Sequence, residues 1–264
     1  MASFDFVDSS SKAYRFIWQR RAEVLRLSAM VLSIKILCFV GFVVFGIQND
    51  ILRQGLYLLP SYLLEGWVIA QIMVMALYAE QAEGSKSVLP PSQDVSSNIK
   101  ASMIVYVLMK LMLSFVVGSS FPGGVPLSES APPEPDASTF IVAVMMIVFL
   151  IWSFRFIWVY VPYVMGLSPL DYLRRFKAFS SSFYMLGVWV LCFVPLVLVM
   201  ILASEVLALF MIGIGVEGKS VVFNAGLAVI QAFMDYSIAL VSSLGIAYGI
   251  YSVLNGENKK TPLF

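Results

Sequence analysis

Six long apolar stretches alternate with shorter polar segments along the chain, and this pattern predicts its main elements. The stretches lie near Leu27–Ile47, Leu58–Leu77, Ala101–Gly118, Phe140–Tyr160, Phe183–Phe210 and Val222–Tyr251. A helix needs about 20 mostly apolar residues to cross a hydrocarbon core of about 30 Å. Each stretch therefore predicts one transmembrane helix, and the last two are long enough to tilt or to project from the bilayer.

Composition supports one membrane domain over residues 1–264. Hydrophobic residues make up 60% of the chain and charged residues 12%, whereas soluble domains are roughly half apolar and a quarter charged. No stretch without a long apolar run reaches the ~40 residues that independent folding usually requires. The predicted fold is an all-α integral membrane protein, a bundle of six transmembrane helices with two interfacial amphipathic helices.

The first predicted amphipathic helix covers Ser9–Leu25. Its apolar side chains recur near helical spacing while its arginines face elsewhere, as in a helix lying on a membrane surface. We expect this helix to run straight into the first span. The apolar positions are Tyr14, Ile17, Trp18, Val24 and Leu25.

The second predicted amphipathic helix begins at Ser168, between the fourth and fifth spans. Ser168 is a suitable N-cap, Pro169 suits the first helical position, and Asp171 follows the serine by three residues. Tyr172, Phe176 and Phe179 form its apolar stripe.

Lysine and arginine predict the orientation, because cytoplasmic loops hold the excess of these residues. With the N-terminus inside, twelve basic residues fall on the cytoplasmic side and only Arg53 and Lys219 on the other. The loop at 121–138 has three acidic residues and no basic one. We therefore expect both termini in the cytoplasm. The twelve are Lys12, Arg15, Arg20, Arg21, Arg26, Lys86, Lys100, Arg174, Arg175, Lys177, Lys259 and Lys260.

Several classes of protein are disfavoured by what the sequence lacks. It has no histidine, the commonest metal ligand and general base. Cys38 and Cys192 both lie in apolar stretches, which indicates buried small side chains rather than a disulfide framework. There is no phosphate-binding glycine loop, and a net charge of +1 gives no sign of nucleic-acid binding. We expect no catalytic residue, metal site or cofactor.

Every predicted span contains an ionisable side chain, which is the strongest functional indication in the sequence because such groups are costly within a bilayer. The six are Lys35, Glu65, Lys110, Arg155, Glu205 and Asp235. Three hypotheses remain open: ion pairs that fix helix packing, a polar or proton-conducting path, and side chains that reach the interface without a partner.

Residue counting gives these side chains an expected depth. It places Lys35 and Arg155 in the inner half of the membrane and Glu65 and Glu205 near the outer surface. Lys110 and Asp235 come closest to the middle, so we expect them to form an ion pair.

Two further groups of residues suggest contacts. Arg155 lies in an aromatic-rich run, so that cation–π contact, lipid-phosphate binding or an aromatic belt around a snorkelling side chain could accommodate it. Arg155, Arg174 and Arg175 are candidates for contact with lipid headgroups. Gly245 and Gly249 form a GxxxG pair that predicts close helix packing, within the bundle or in a dimer.

The run RFIWVYVPYVMGLSPLDYLRRFKAFSSSFYMLGVWVL joins an aromatic helix end with one arginine, a proline, a turn and a basic helix. It resembles YciC-like bacterial inner-membrane proteins and the membrane domain of some glycerophosphodiester phosphodiesterases, as does FDFVDSSSKAYRFIW near the N-terminus. Phe176 replaces the usual serine of that pattern. The resemblance implies a bacterial inner membrane and about six helices, but no catalytic residue, because the phosphodiesterase chemistry belongs to a separate soluble domain. The matching residues are Arg155, Pro162, Gly166, Pro169, Leu170, Leu173 and Arg174.

These features favour an accessory or structural membrane protein, a scaffold that binds lipids or other proteins. The alternative is a small transporter or permease that uses the intramembrane charges. The expected partners are membrane lipids, other membrane proteins or a second copy of the chain.

Overall fold

A computed structural model describes residues 5–47, 51–82, 94–120, 137–215 and 220–260. These ranges form helices and connecting turns, without a strand. A 3-10 turn at Phe154–Trp158 joins α6 to α7. The helices are α1 (Phe6–Gln19), α2 (Arg21–Phe45), α3 (Ile51–Tyr57), α4 (Leu59–Ala82), α5 (Val95–Ser120), α6 (Ala137–Ser153), α7 (Tyr160–Val164), α8 (Pro169–Arg175), α9 (Phe179–Gly213) and α10 (Val221–Lys260).

Six helical segments are long and apolar enough to cross a membrane. The predicted all-α membrane bundle is confirmed, and the chain is a multi-pass membrane protein. Most spans extend a few residues beyond the apolar stretches, because polar residues continue the helix past the hydrocarbon. The segments are Arg21–Phe45, Leu59–Ala82, Val95–Val116, Val144–Val164, Phe179–Gly213 and Val221–Asn255.

The fourth span is not one continuous α-helix. It changes to a 3-10 turn at Phe154–Trp158 and resumes as α7. Pro162 explains the change, because proline has no backbone N–H and its ring opposes the carbonyl four residues earlier, that of Trp158. The turn carries Arg155 and Trp158 into the protein, where both are buried.

Helix α10 forms the centre of the bundle and packs against α9, α1, α2 and α4. Every residue from Leu240 to Tyr251 is buried. Gly245 permits the close approach of α9, because a Cβ there would lie 2.7 Å from Cγ1 of Val188. Gly245 therefore packs within the bundle, and Gly249 is also buried.

Helix α1 packs against α9 and α10 through one face. The Tyr14 hydroxyl donates a 2.7 Å hydrogen bond to the carbonyl of Cys192, and burial raises the pKa of Tyr14 to about 12. The Lys12 ammonium lies 2.9 Å from Glu80 on α4. Burial alone would lower the pKa of Lys12, but hydrogen bonds to Glu80 and Asp8 outweigh it and raise the pKa above its usual value.

The expectation of one helix running from Ser9 into the first span was wrong, because the helix breaks at Arg20 and Leu25 belongs to α2. Arg20 has φ −104° and ψ 24°, outside the helical region, so the chain changes direction there. A position of α1 on the membrane surface stays a prediction.

The start of the second predicted amphipathic helix is confirmed, since Ser168 caps α8 by accepting a hydrogen bond from the backbone N–H of Asp171 at 3.1 Å. Its stripe faces protein in part: Tyr172 and Phe176 are buried. The Tyr172 hydroxyl donates to the carbonyl of Arg155 at 3.0 Å, and burial raises the pKa of Tyr172. The acidic loop at 121–136, with Lys86 and Lys219, lies outside the described residues.

Candidate functional site

Four of the six ionisable side chains meet in the middle of the bundle, and we call these four the charge cluster. They are Lys35 on α2, Glu65 on α4, Lys110 on α5 and Asp235 on α10. The Lys35 ammonium lies 2.6 Å from Oε2 of Glu65 and 2.5 Å from Oδ2 of Asp235. The Lys110 ammonium lies 3.7 Å from Oδ1 of Asp235 and 4.0 Å from Oε1 of Glu65.

Helical periodicity directs Lys35 and Glu65 inward. Lys35 shares the buried face of α2 with Val31 and Phe39, four residues to either side. Glu65 shares the buried face of α4 with Ser61 and Ile69 at the same spacing. Apolar packing along each helix therefore turns the charged group towards the interior.

One half of the cluster is completely enclosed. Lys35 and Glu65 both have 0% of the side chain exposed. Glu65 also accepts a 2.5 Å hydrogen bond from the Tyr106 hydroxyl. Buried charges are tolerated when they are paired and hydrogen-bonded, and this half meets both conditions.

The other half is open. The side chains of Lys110 and Asp235 are 23% and 40% exposed. The Lys110 ammonium lies over the rings of Tyr62 and Tyr106, 5.6 and 5.7 Å from their centroids. Its distances to the two carboxylates are longer than a typical hydrogen bond, whose donor and acceptor lie within about 3.2 Å of each other. Lys110 therefore retains hydrogen-bonding capacity.

Lys110 and Asp235 line a cavity of about 360 Å³, which we call the aromatic cavity. Six of its lining side chains are aromatic. Two polar atoms of lining residues, Nε1 of Trp158 and Oγ of Ser242, are buried without a hydrogen-bond partner among the described residues. The aromatic residues are Tyr106, Phe154, Trp158, Tyr160, Trp189 and Phe193.

A second cavity, of about 280 Å³, also lies along α10, and we call it the polar crevice. Three carboxamide residues, Gln54, Asn224 and Gln231, line it together with apolar side chains. Gln231 precedes Asp235 by one helical turn, and Ser242 follows Asp235 by two. Asn224, Gln231, Asp235 and Ser242 thus form one polar stripe along α10.

Arg155 lies apart from the charge cluster and is only 6% exposed. Its Nη1 donates a 3.0 Å hydrogen bond to the carbonyl of Phe176. Its guanidinium lies 4.7 and 5.2 Å from the ring centroids of Trp152 and Phe156. The predicted cation–π contact is present, and Arg155 ties the 3-10 turn to the end of α8. Contact of Arg155 with a lipid headgroup stays a prediction.

Glu205 also lies apart, exposed on α9 and without an ion pair to any residue in the described ranges. Residue counting gave Lys35, Glu65 and Asp235 three different depths, but the contacts of Lys35 with the other two bring all three to one level of the bundle. Counting from the end of an apolar stretch assumes helices perpendicular to the membrane, so it does not determine which side chains meet. Arg174 and Arg175 are exposed on α8.

The expected contact between Lys110 and Asp235 is present, but Lys35 is the closer partner of the aspartate. Sequence reasoning missed Tyr106, Trp158 and Ser242. Tyr106 precedes Lys110 by four residues, and Ser242 continues the polar spacing of α10, so helical periodicity could have indicated both. Nothing in the sequence indicates Trp158, because the 3-10 turn sets its position.

Comparison with protein-family models, with curated proteins and with solved structures finds no match for this chain. The fold and the site define an all-α membrane protein with an intramembrane charge cluster and a cavity beside it.

Proposed function

We propose that this protein is a lipid-binding scaffold of the membrane, which takes an amphiphilic molecule into the aromatic cavity. The observation that carries the proposal is the composition of the cavity wall. Its side chains are mostly aromatic and aliphatic, and its charged side chains are Lys110 and Asp235. Binding sites for small molecules are typically concave and mostly apolar, with a few polar groups that orient the ligand. A cavity of about 360 Å³ lies within the usual range for such sites.

Two methionines of α5 provide a matched test. Met109 lines the cavity, whereas Met112 is 61% exposed on the outside of the same helix. We expect native mass spectrometry of the wild type in mild detergent to show a retained small molecule. Met109→Trp should remove it by filling the cavity, and Met112→Trp should leave it bound. Equal retention by both variants would contradict the proposal.

A second candidate function is transport, and the polar crevice favours it. The crevice and the aromatic cavity border α10 on successive turns, because Gln231 lines the crevice and Asp235, one turn later, lines the aromatic cavity. Polar groups on both sides of an intramembrane charge are typical of an ion pathway.

Proton flux into proteoliposomes, followed with an internal pH-sensitive dye, tests this candidate. Transport predicts a flux that Asp235→Asn abolishes and Glu205→Gln preserves, because only Asp235 belongs to the cluster. Flux no greater than in empty liposomes would leave the scaffold as the better proposal.

We further propose a bacterial inner membrane as the location, with both termini in the cytoplasm and with no enzymatic activity. The twelve-to-two distribution of basic residues supports this orientation. Reporter fusions after Gly84 and in the C-terminal tail should report cytoplasm, and a fusion near Pro133 should report the exterior. The opposite result at Pro133 would overturn the topology. Partner proteins, or a second copy of the chain, would bind the exposed apolar faces of α6 and α9 in competition with lipid.

A further inference from the structure

This inference rests on the proposed binding function and concerns the chemistry of the ligand. We propose that the aromatic cavity takes an uncharged amphiphile whose flat ring carries a carbonyl oxygen, of the aryl-ketone or quinone type. Charge, hydrogen-bonding capacity and the shape of the wall each restrict the ligand independently.

The balance of charge in the cluster favours an uncharged ligand. Two lysines and two carboxylates sum to zero. A carboxylate or an ammonium entering the cavity would leave one uncompensated charge within the membrane, where such a charge is costly. A neutral ligand leaves the balance intact.

The unmatched polar groups around the cavity call for a hydrogen-bond acceptor. The Lys110 ammonium lies over two tyrosine rings, but its nearest acceptors among the described residues are Asp235 at 3.7 Å and Glu65 at 4.0 Å. The indole N–H of Trp158 has no partner among the described residues. Both groups can only donate. Both carboxylates that face Lys110 already contact Lys35, Asp235 at 2.5 Å and Glu65 at 2.6 Å. A carbonyl oxygen supplies the missing acceptor without adding charge.

The wall favours a flat ring over a flexible chain. Trp189 and Phe193 are stacked with their centroids 4.7 Å apart, and Phe154 meets the rings of Trp158 and Trp189 at 6.0 and 5.8 Å. Aromatic pairs gain energy beyond area burial when rings stack or meet edge to face. A ring in the ligand can join this arrangement, with its apolar tail among the aliphatic lining residues.

Three probes with the same ring and tail separate these requirements: 4-decylacetophenone has a neutral carbonyl, 4-decylbenzoate a carboxylate, and decylbenzene no polar head. Binding is measured by the concentration dependence of the melting temperature in detergent, since a ligand of the native state raises it. We expect the acetophenone to bind about tenfold more tightly than either other probe. It alone offers an acceptor to Lys110 and Trp158 without bringing a charge into the cavity.

Variants assign the effect to the cavity. Lys110→Met should weaken acetophenone binding about tenfold and leave decylbenzene binding unchanged. Trp158→Phe removes the indole N–H and one of the two rings, so it should weaken acetophenone binding about threefold more than it weakens decylbenzene binding. Trp158→Phe keeps the test decisive if Lys110→Met fails to fold. Met109→Trp should block all three probes, and Met112→Trp none of them.

The results separate this inference from the proposed function. Benzoate binding as tight as acetophenone binding would overturn the argument from charge, and equal binding of decylbenzene would overturn the carbonyl. In either case, sensitivity to Met109→Trp would still support the cavity as a binding site. Probe binding that Met109→Trp does not weaken would overturn both this inference and the proposed function.

Discussion

The two halves of the charge cluster contain the same types of residue but differ in their surroundings. Lys35 and Glu65 have no exposed side-chain surface and meet at 2.6 Å. Lys110 and Asp235 are partly exposed to the aromatic cavity and meet at 3.7 Å. In the enclosed half, Lys35 has two carboxylate partners within 2.6 Å. In the open half, Lys110 has no ion-pair contact shorter than 3.7 Å.

This difference indicates a division of roles within one network. Breaking the enclosed pair leaves a buried charge without its paired group and without water, so the enclosed half should contribute mainly to stability. The open half contributes less to stability and remains available to a ligand. Asp235 links the halves, because its two carboxylate oxygens face different lysines.

The largest expected effect is that of breaking the enclosed pair. Glu65→Leu should lower the free energy of unfolding by about 3–5 kcal/mol, because it removes a buried partner of Lys35 and leaves that charge incompletely compensated. Unfolding in detergent, followed by circular dichroism, measures the loss. Glu205→Gln is the control and should change stability by less than about 0.5 kcal/mol, since Glu205 is exposed.

The double variant Lys35→Met with Glu65→Leu should recover part of that loss, because it removes both charges and leaves Lys110 with Asp235. A double variant less stable than either single variant would show that the enclosed half is not a structural ion pair.

A smaller effect is expected at the hydroxyl that completes the enclosed half. Tyr106→Phe should cost about 1.5–3 kcal/mol, because it removes a hydrogen bond to the buried Glu65 carboxylate and keeps the ring. The same unfolding measurement applies. Tyr163→Phe is a suitable control, since its hydroxyl makes no hydrogen bond to another described residue. Equal losses of unfolding free energy in the two variants would show that the Tyr106 hydroxyl does not stabilise the enclosed half.

The smallest effect is expected for the open pair. A double-mutant cycle of Lys110→Met and Asp235→Leu should give a coupling energy of about 0.5–1 kcal/mol, because the contact is long and partly exposed. The corresponding cycle for Lys35 and Glu65 should give about 2–3 kcal/mol. Equal coupling in the two cycles would remove the distinction between the halves.

The sequence alone predicted the spans and the local helix signals. Backbone polar groups must be paired inside a bilayer, so an apolar stretch of sufficient length becomes a helix whatever surrounds it. A helix cap likewise depends on residues close together in the chain, so the sequence alone identified Ser168 as an N-cap. The sequence also showed that each predicted span contains one charged side chain.

Tertiary structure decided which of those side chains meet. Lys35 and Asp235 are 200 positions apart in the chain, and their contact depends on the tilt and rotation of α2 and α10. Arg155 lies apart because the helix changes to a 3-10 turn there, and Glu205 because its face of α9 packs against nothing that buries it. Helix rotation and depth follow from packing between spans, which local periodicity does not specify, so only the assembled bundle separates an enclosed pair from an open one.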